Sequence, residues 1–163
     1  MAELTNLESK LGEVLGLAMA AQGATEKVKK LDDLDDDLAK ALDRMNDEAK
    51  EAEERATEVA ESFEGKKTAI LDEARDVKQK ATEMMQDYLD SAADALDGFE
   101  FLTMAEAGEV GHWEVLRTLN ERARNAGVRE LVDWGIPIQQ RHFEQVRQGS
   151  LKLAAEEDPN ETA

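Results

Sequence analysis

Apolar residues recur along this chain at alternating spacings of three and four, the period of an amphipathic helix. The first stripe is Leu4, Leu7, Leu11, Val14, Ala18, Ala21, Thr25 and Val28. Thr5 with Glu8 three residues later has the form of a capping box, so the pattern predicts a helix over residues 5 to 30. The Asp-rich run from Leu31 to Asp37 reads as a joint leading into a charged helix start, because Asp caps helices and stabilises their positive end. It lacks the alternate ligand spacing, central Gly and closing Glu of a calcium loop. A thinner stripe of Leu38, Leu42, Met45, Ala49, Ala52, Ala56, Val59 and Phe63 predicts a second helix over 36 to 63, ended by Gly65.

Residues 66 to 97 are again helical in pattern, with a bend or break inside and Asp97 and Gly98 closing the stretch. The next helix is predicted over 99 to 125, stopped by Asn125, Ala126 and Gly127, with Arg117, Arg122 and Arg124 at its negative end. The last is predicted over 128 to 155, kinked near Gly135 and Pro137. Residues 156 to 163 form a polar tail holding Pro159, expected to be frayed and flexible. Four long helices with short connections, plus an extra helical segment between the second and third, predict an all-α antiparallel four-helix bundle over residues 1 to 155.

Composition agrees. Ala, Glu, Asp, Leu and Lys dominate, aromatic residues make up only 4%, and no proline precedes Pro137, which together exclude most β architectures. The 38 acidic residues against 20 basic give a net charge of −18, a field that repels nucleic-acid phosphates and anionic membrane surfaces. The same charge also suits a high-salt habitat, where acidic surfaces keep proteins hydrated. There is no cysteine, hence no disulfide and no thiolate metal site. Glu3 and Glu8 stand where a signal peptide has lysines, and the apolar run from Leu11 to Ala21 is short and broken by Glu13, so a soluble, cytoplasmic chain is expected. Met84, Met85, Tyr88 and Leu89 form an apolar patch that predicts a homodimer.

Candidate chemistry sits in four places. Glu13 is the lone ionisable group in a stretch that is apolar nearly all round, so if it points inward it needs a charged or hydrogen-bonded partner, or a cation. Glu109 and His112 stand one turn apart, a Glu-x-x-His pattern in which carboxylate and imidazole can ligate one ion, and Glu106 lies one turn earlier. Ala105, Gly108 and Gly111 beside them point to close helix approach or room for a ligand. His142, the only other histidine, has Gln139 three residues before it. In the second helix Glu48 and Glu51 flank the apolar seam and are the acids best placed to enter the core. Trp113 and Trp134 read as packing residues. Phosphate loops, nucleophile elbows and Ser/His/Asp sets are absent, so hydrolase and nucleotide-binding classes gain no support.

On Glu13 in its alanine-rich helix, the Gly65-Lys66-Lys67 turn, Glu109 to Glu114 and the stretch from Ile136 to Val146, the chain resembles ferritin-like proteins. It is most similar to the small bacterial stress-associated branch with a helical insert after the second bundle helix. The resemblance implies a bundle holding one or two iron or manganese ions for oxidative-stress or iron-related chemistry, with Glu13, Glu48 or Glu51, Glu109, His112 and His142 as ligands. It departs from the family pattern at Gln139, which replaces a carboxylate in the second Glu-x-x-His position. The alternative from the same residues is a metal-free acidic helical scaffold acting through protein partners.

Overall fold

The computed structural model describes residues 2–162, which fold into five α-helices packed against one another, with no strand among the described residues. They are α1 (Asn6–Lys29), α2 (Asp36–Glu61), α3 (Lys67–Tyr88), α4 (Ala95–Ala123) and α5 (Ala126–Glu156). None is long and apolar enough to cross a membrane.

The starts follow the local chemistry. Thr5 caps α1 in a full capping box: its hydroxyl accepts from the Glu8 N–H at 3.2 Å, and the Glu8 carboxylate accepts from the Thr5 N–H at 2.8 Å. Asp35 caps α2 by accepting from the Leu38 N–H at 2.9 Å, with Asp36 and Asp37 in the first turn. Two boundaries differ from the pattern. Residues 66 to 97 hold a helix only to Tyr88, and α4 begins at Ala95 because Asp94 and Asp97 make a second capping box. Gly98 is therefore no stop: it lies inside α4, where a Cβ would come within 2.8 Å of Leu31 and 2.9 Å of Val28. At the far end of α4 it is Arg124, at φ +54°, that takes the left-handed turn, and Asn125 then caps α5, leaving Gly127 in the first turn of that helix. The α5 helix continues through Pro137 to Glu156.

Contacts between helix ends fix the directions. Val28 and Leu31 meet Gly98, Leu38 and Phe99 meet Gly149, and Lys27 donates to the Leu89 carbonyl, so one end joins the finish of α1, α3 and α5 to the start of α2 and α4. At the other end Lys66 reaches Glu8 and Gly127 lies against Val59. Thus α1, α3 and α5 run one way and α2 and α4 the other. The α1 helix packs against α2, α3 and α4, which is why its middle is apolar nearly all round, and α4 and α5 form the other close pair.

The α1 and α3 helices approach through Gly12 and Gly16. A Cβ on Gly16 would stand 2.4 Å from the Ala74 carbonyl oxygen, and one on Gly12 2.9 Å from the side chain of Glu73. The interior divides into two apolar clusters. One holds Leu11, Leu15, Ile70, Trp113, Leu116 and Val132; the other holds Val28, Leu42, Met45, Leu89, Phe99 and Leu102. Met85 and Leu89 belong to this second cluster, so of the apolar patch expected to dimerise only Met84 and Tyr88 face outward.

Because backbone blocks the added methyl, Gly16→Ala should destabilise the protein by about 2 kcal/mol, as overpacked core positions do. Thermal unfolding would show a Tm lower by several degrees, whereas Gly23→Ala, with nothing within 4 Å, should leave Tm unchanged or raise it.

Candidate functional site

Between the two apolar clusters lies a buried polar layer. The inward stripe of α4 reads Phe99, Leu102, Glu106, Glu109, Trp113, Leu116 and Asn120, again at spacings of three and four. That of α5 reads Val128, Val132, Gly135, Gln139, His142, Val146, Gly149 and Leu153. Each has polar residues in its two central positions. Glu106, Glu109, Gln139 and His142 are 3%, 5%, 2% and 2% exposed.

This layer is underpaired. Glu106 Oε2 and Gln139 Oε1 are buried without a hydrogen-bond partner. His142 Nδ1 stands 3.9 Å from Glu106 Oε2, beyond hydrogen-bonding distance, while its Nε2 lies 3.2 Å from Glu48 Oε1. Glu48 reaches in from α2 and is clasped by the Arg141 guanidinium, with Arg44 at 3.4 Å. A buried carboxylate lacking a cation holds its proton. Burial, reinforced by the neighbouring Glu109 charge, pushes Glu106 well above the ordinary carboxylate range. Burial also pushes Glu109 up to about 7, and the Trp113 indole N–H one turn on is itself buried without a hydrogen-bond partner. Burial holds His142 below its ordinary value, although Glu48 opposes this. An apolar cavity of about 50 Å³, lined by Leu17, Ala20, Ala21, Met85, Phe101 and other residues, ends on Glu106 and Glu109.

Glu13 and His112 meet elsewhere, at the edge of the α1 and α4 contact. Glu13 Oε2 is 3.2 Å from His112 Nδ1, and the Lys10 ammonium lies 2.5 Å from the carboxylate and 3.2 Å from the imidazole. Both side chains are partly exposed, at 26% and 43%. The cation that an inward Glu13 would demand is thus supplied by Lys10. Glu51 joins neither group; it pairs with Arg55 on the surface of α2 at 2.9 Å. Gly108 and Gly111 face open space, so close helix approach is not their role. It is the role of Gly135, where a Cβ would fall 2.3 Å from the Trp113 ring.

The six expected ligands therefore fall into separate places. Glu13 and His112 flank an ammonium, Glu48 lies between the Arg141 guanidinium and His142, Glu109 lies inside with Glu106, and Glu51 is at the surface. Among the described residues no three His, Asp or Glu side chains gather closely enough to hold a metal ion. The residues that the spacing understated are Glu106 and Gln139, which continue the three-and-four stripe where His112 leaves it.

The raised carboxyl groups set a pH dependence. The folded protein keeps protons that the unfolded chain releases, so the stability they contribute is present at low pH and is lost as pH rises from the ordinary carboxylate range through about 7. His142 has the opposite sign, its contribution being lost as pH falls below its ordinary value of 6.5. Urea unfolding of the Glu106→Gln/Glu109→Gln double variant should show the loss between about pH 5 and 8 reduced, with higher stability than the parent at about pH 8. An unchanged slope would place both groups in solvent-like surroundings.

No protein-family model, curated protein or solved structure matches this chain.

Proposed function

We propose that the chain is a ferritin-like four-helix bundle of α1, α2, α4 and α5, and that its functional centre is the buried Glu106, Glu109, Gln139 and His142 layer. In this reading α3 is the helical segment that returns the chain to the other end of the bundle. Support comes from the helix directions: α2 and α4 run parallel, which requires one long crossover between them, as ferritin-like folds have. In this reading the centre takes up one iron or manganese ion in exchange for protons, Glu106, Glu109 and His142 drawing together around it from positions that are too far apart to ligate an ion as they stand. The observation that carries this is the Glu106 carboxylate, fully buried with an unpartnered oxygen beside a second buried carboxylate and facing an imidazole. Two carboxylates, one imidazole and an amide oxygen are a donor set that suits such ions.

The residues do not fit two ions. Lys10 and Arg141 place positive charge against Glu13 and Glu48, and Gln139 brings no charge of its own. Bound iron or manganese would supply the redox chemistry of oxidant defence or iron handling. The chain's own part is to keep the centre dry between two apolar clusters and to exchange protons for the ion. A second reading, a metal-free acidic scaffold for protein partners, is favoured by those same two internal cations.

Metal analysis after anaerobic loading with Fe(II) or Mn(II) distinguishes them. We expect about one ion per chain, retained in Lys10→Gln and His112→Ala and lost in Glu106→Gln/His142→Gln. Binding that fails in the parent at all pH values tested supports the scaffold. About two ions, with one lost in His112→Ala, would mean that Lys10 yields its place to metal.

A further inference from the structure

The far end of the molecule holds a cleft lined by more arginines than acids. Residues 117 to 129 carry Arg117, Arg122, Arg124 and Arg129 against the single acid Glu121, a local charge of +3 in a chain of −18. The turn from α4 to α5 gathers three of these arginines, Arg117, Arg124 and Arg129, around one cleft of about 620 Å³, which Glu121 and Asp133 line as well, together with Asn120, Ala126 and Val132.

The turn that displays them is tied down from beneath. Asn120 is buried; its amide donates to the Asn125 carbonyl at 3.0 Å and accepts from the Asn125 N–H at 3.0 Å. Arg124 is thereby held at φ +54° and its side chain is exposed. The guanidinium groups are poorly paired. Arg117 approaches Glu114 only at 4.0 Å and Arg129 approaches Asp133 only at 3.9 Å, both exposed, and Arg124 makes no ion pair among the described residues. Arg117, Arg122 and Arg124 are accounted for in part by the negative end of α4. Arg129 is not: it stands near the positive start of α5, where a cation is unfavourable and where no acid occupies the first turn.

We propose that this cleft binds a small phosphorylated molecule, its phosphate dianion held by Arg117, Arg124 and Arg129 and its less polar part lying against Ala126 and Val132. Guanidinium groups match phosphate oxygens in pairs, and the three around this cleft outnumber the two carboxylates, Glu121 and Asp133, that also line it. The surrounding acidic surface repels anions, so a ligand must be small enough to enter the cleft without covering that surface. The site is independent of the buried layer, which lies in the interior beyond Trp113 and Leu116.

Isothermal titration at low ionic strength with inorganic phosphate, glycerol phosphate and succinate tests this. Saturable binding of glycerol phosphate, tighter than that of phosphate and weakened at least about fivefold by Arg124→Gln or Arg129→Gln, is the expected result. Binding should also weaken with added sodium chloride, since the charges are exposed. Phosphate binding as tightly as glycerol phosphate, with the same arginine dependence, would confine the site to the phosphate group and overturn the apolar part of the proposal. No binding by either phosphate compound, binding unchanged in the arginine variants, or tighter binding of succinate would overturn it altogether. The substituted side chains are exposed, so circular dichroism and Tm of the variants should match the parent and separate lost binding from lost folding.

Discussion

Two glutamates, a glutamine and a histidine occupy the middle of the α4 and α5 seam, where the helical stripe elsewhere carries Leu, Phe, Trp and Val. The cost of keeping those groups from water organises the centre of the molecule. An isolated buried carboxylate is so unfavourable that it takes a proton or finds a cation. Glu48 and Glu13 find cations in Arg141 and Lys10; Glu106 and Glu109 have none, and burial raises both above the ordinary carboxylate range.

The apolar clusters on either side keep the layer dry. Trp113 closes one side by lying in the space that Gly135 leaves open on α5, and Phe99 fills the corresponding space at Gly149. The small residues of α1 have two uses: Ala18 lies in the core, while Gly12 and Gly16 let α3 lie close enough to cover the helix from outside. Burial of α1 on three sides, and thus the dryness around Glu106, depends on that contact.

The charge of the chain is distributed to match. Acids at the starts of α1, α2 and α4 oppose the positive helix ends, and most of the others lie on outward faces where water screens them. The starts of α3 and α5 are the exceptions, with Lys67 and Arg129 in first turns that carry no acid, and at α5 three arginines line one cleft.

Helix number, approximate length and the apolar faces were legible in the order of residues, because a 3.6-residue period and local capping chemistry are short-range properties. The Thr5 and Glu8 box and the Asp35 start are examples. The stripe of α4 was legible too: Glu106 and Glu109 stand in phase with Leu102 and Trp113, while His112 stands one position out of phase, so the Glu-x-x-His spacing paired a buried group with a partly exposed one. Only the tertiary structure decided which glycines stop helices and which admit a neighbour, since Gly98 and Gly135 are defined by Leu31 and Trp113 from distant segments. It also decided where the charges went. Lys10 sits 102 residues from His112, and Arg141 sits 93 residues from Glu48, and no spacing along the chain encodes a contact of that range. The balance between metal, proton and basic side chain at each carboxylate is a property of packed surfaces, and packing is what brings those residues together.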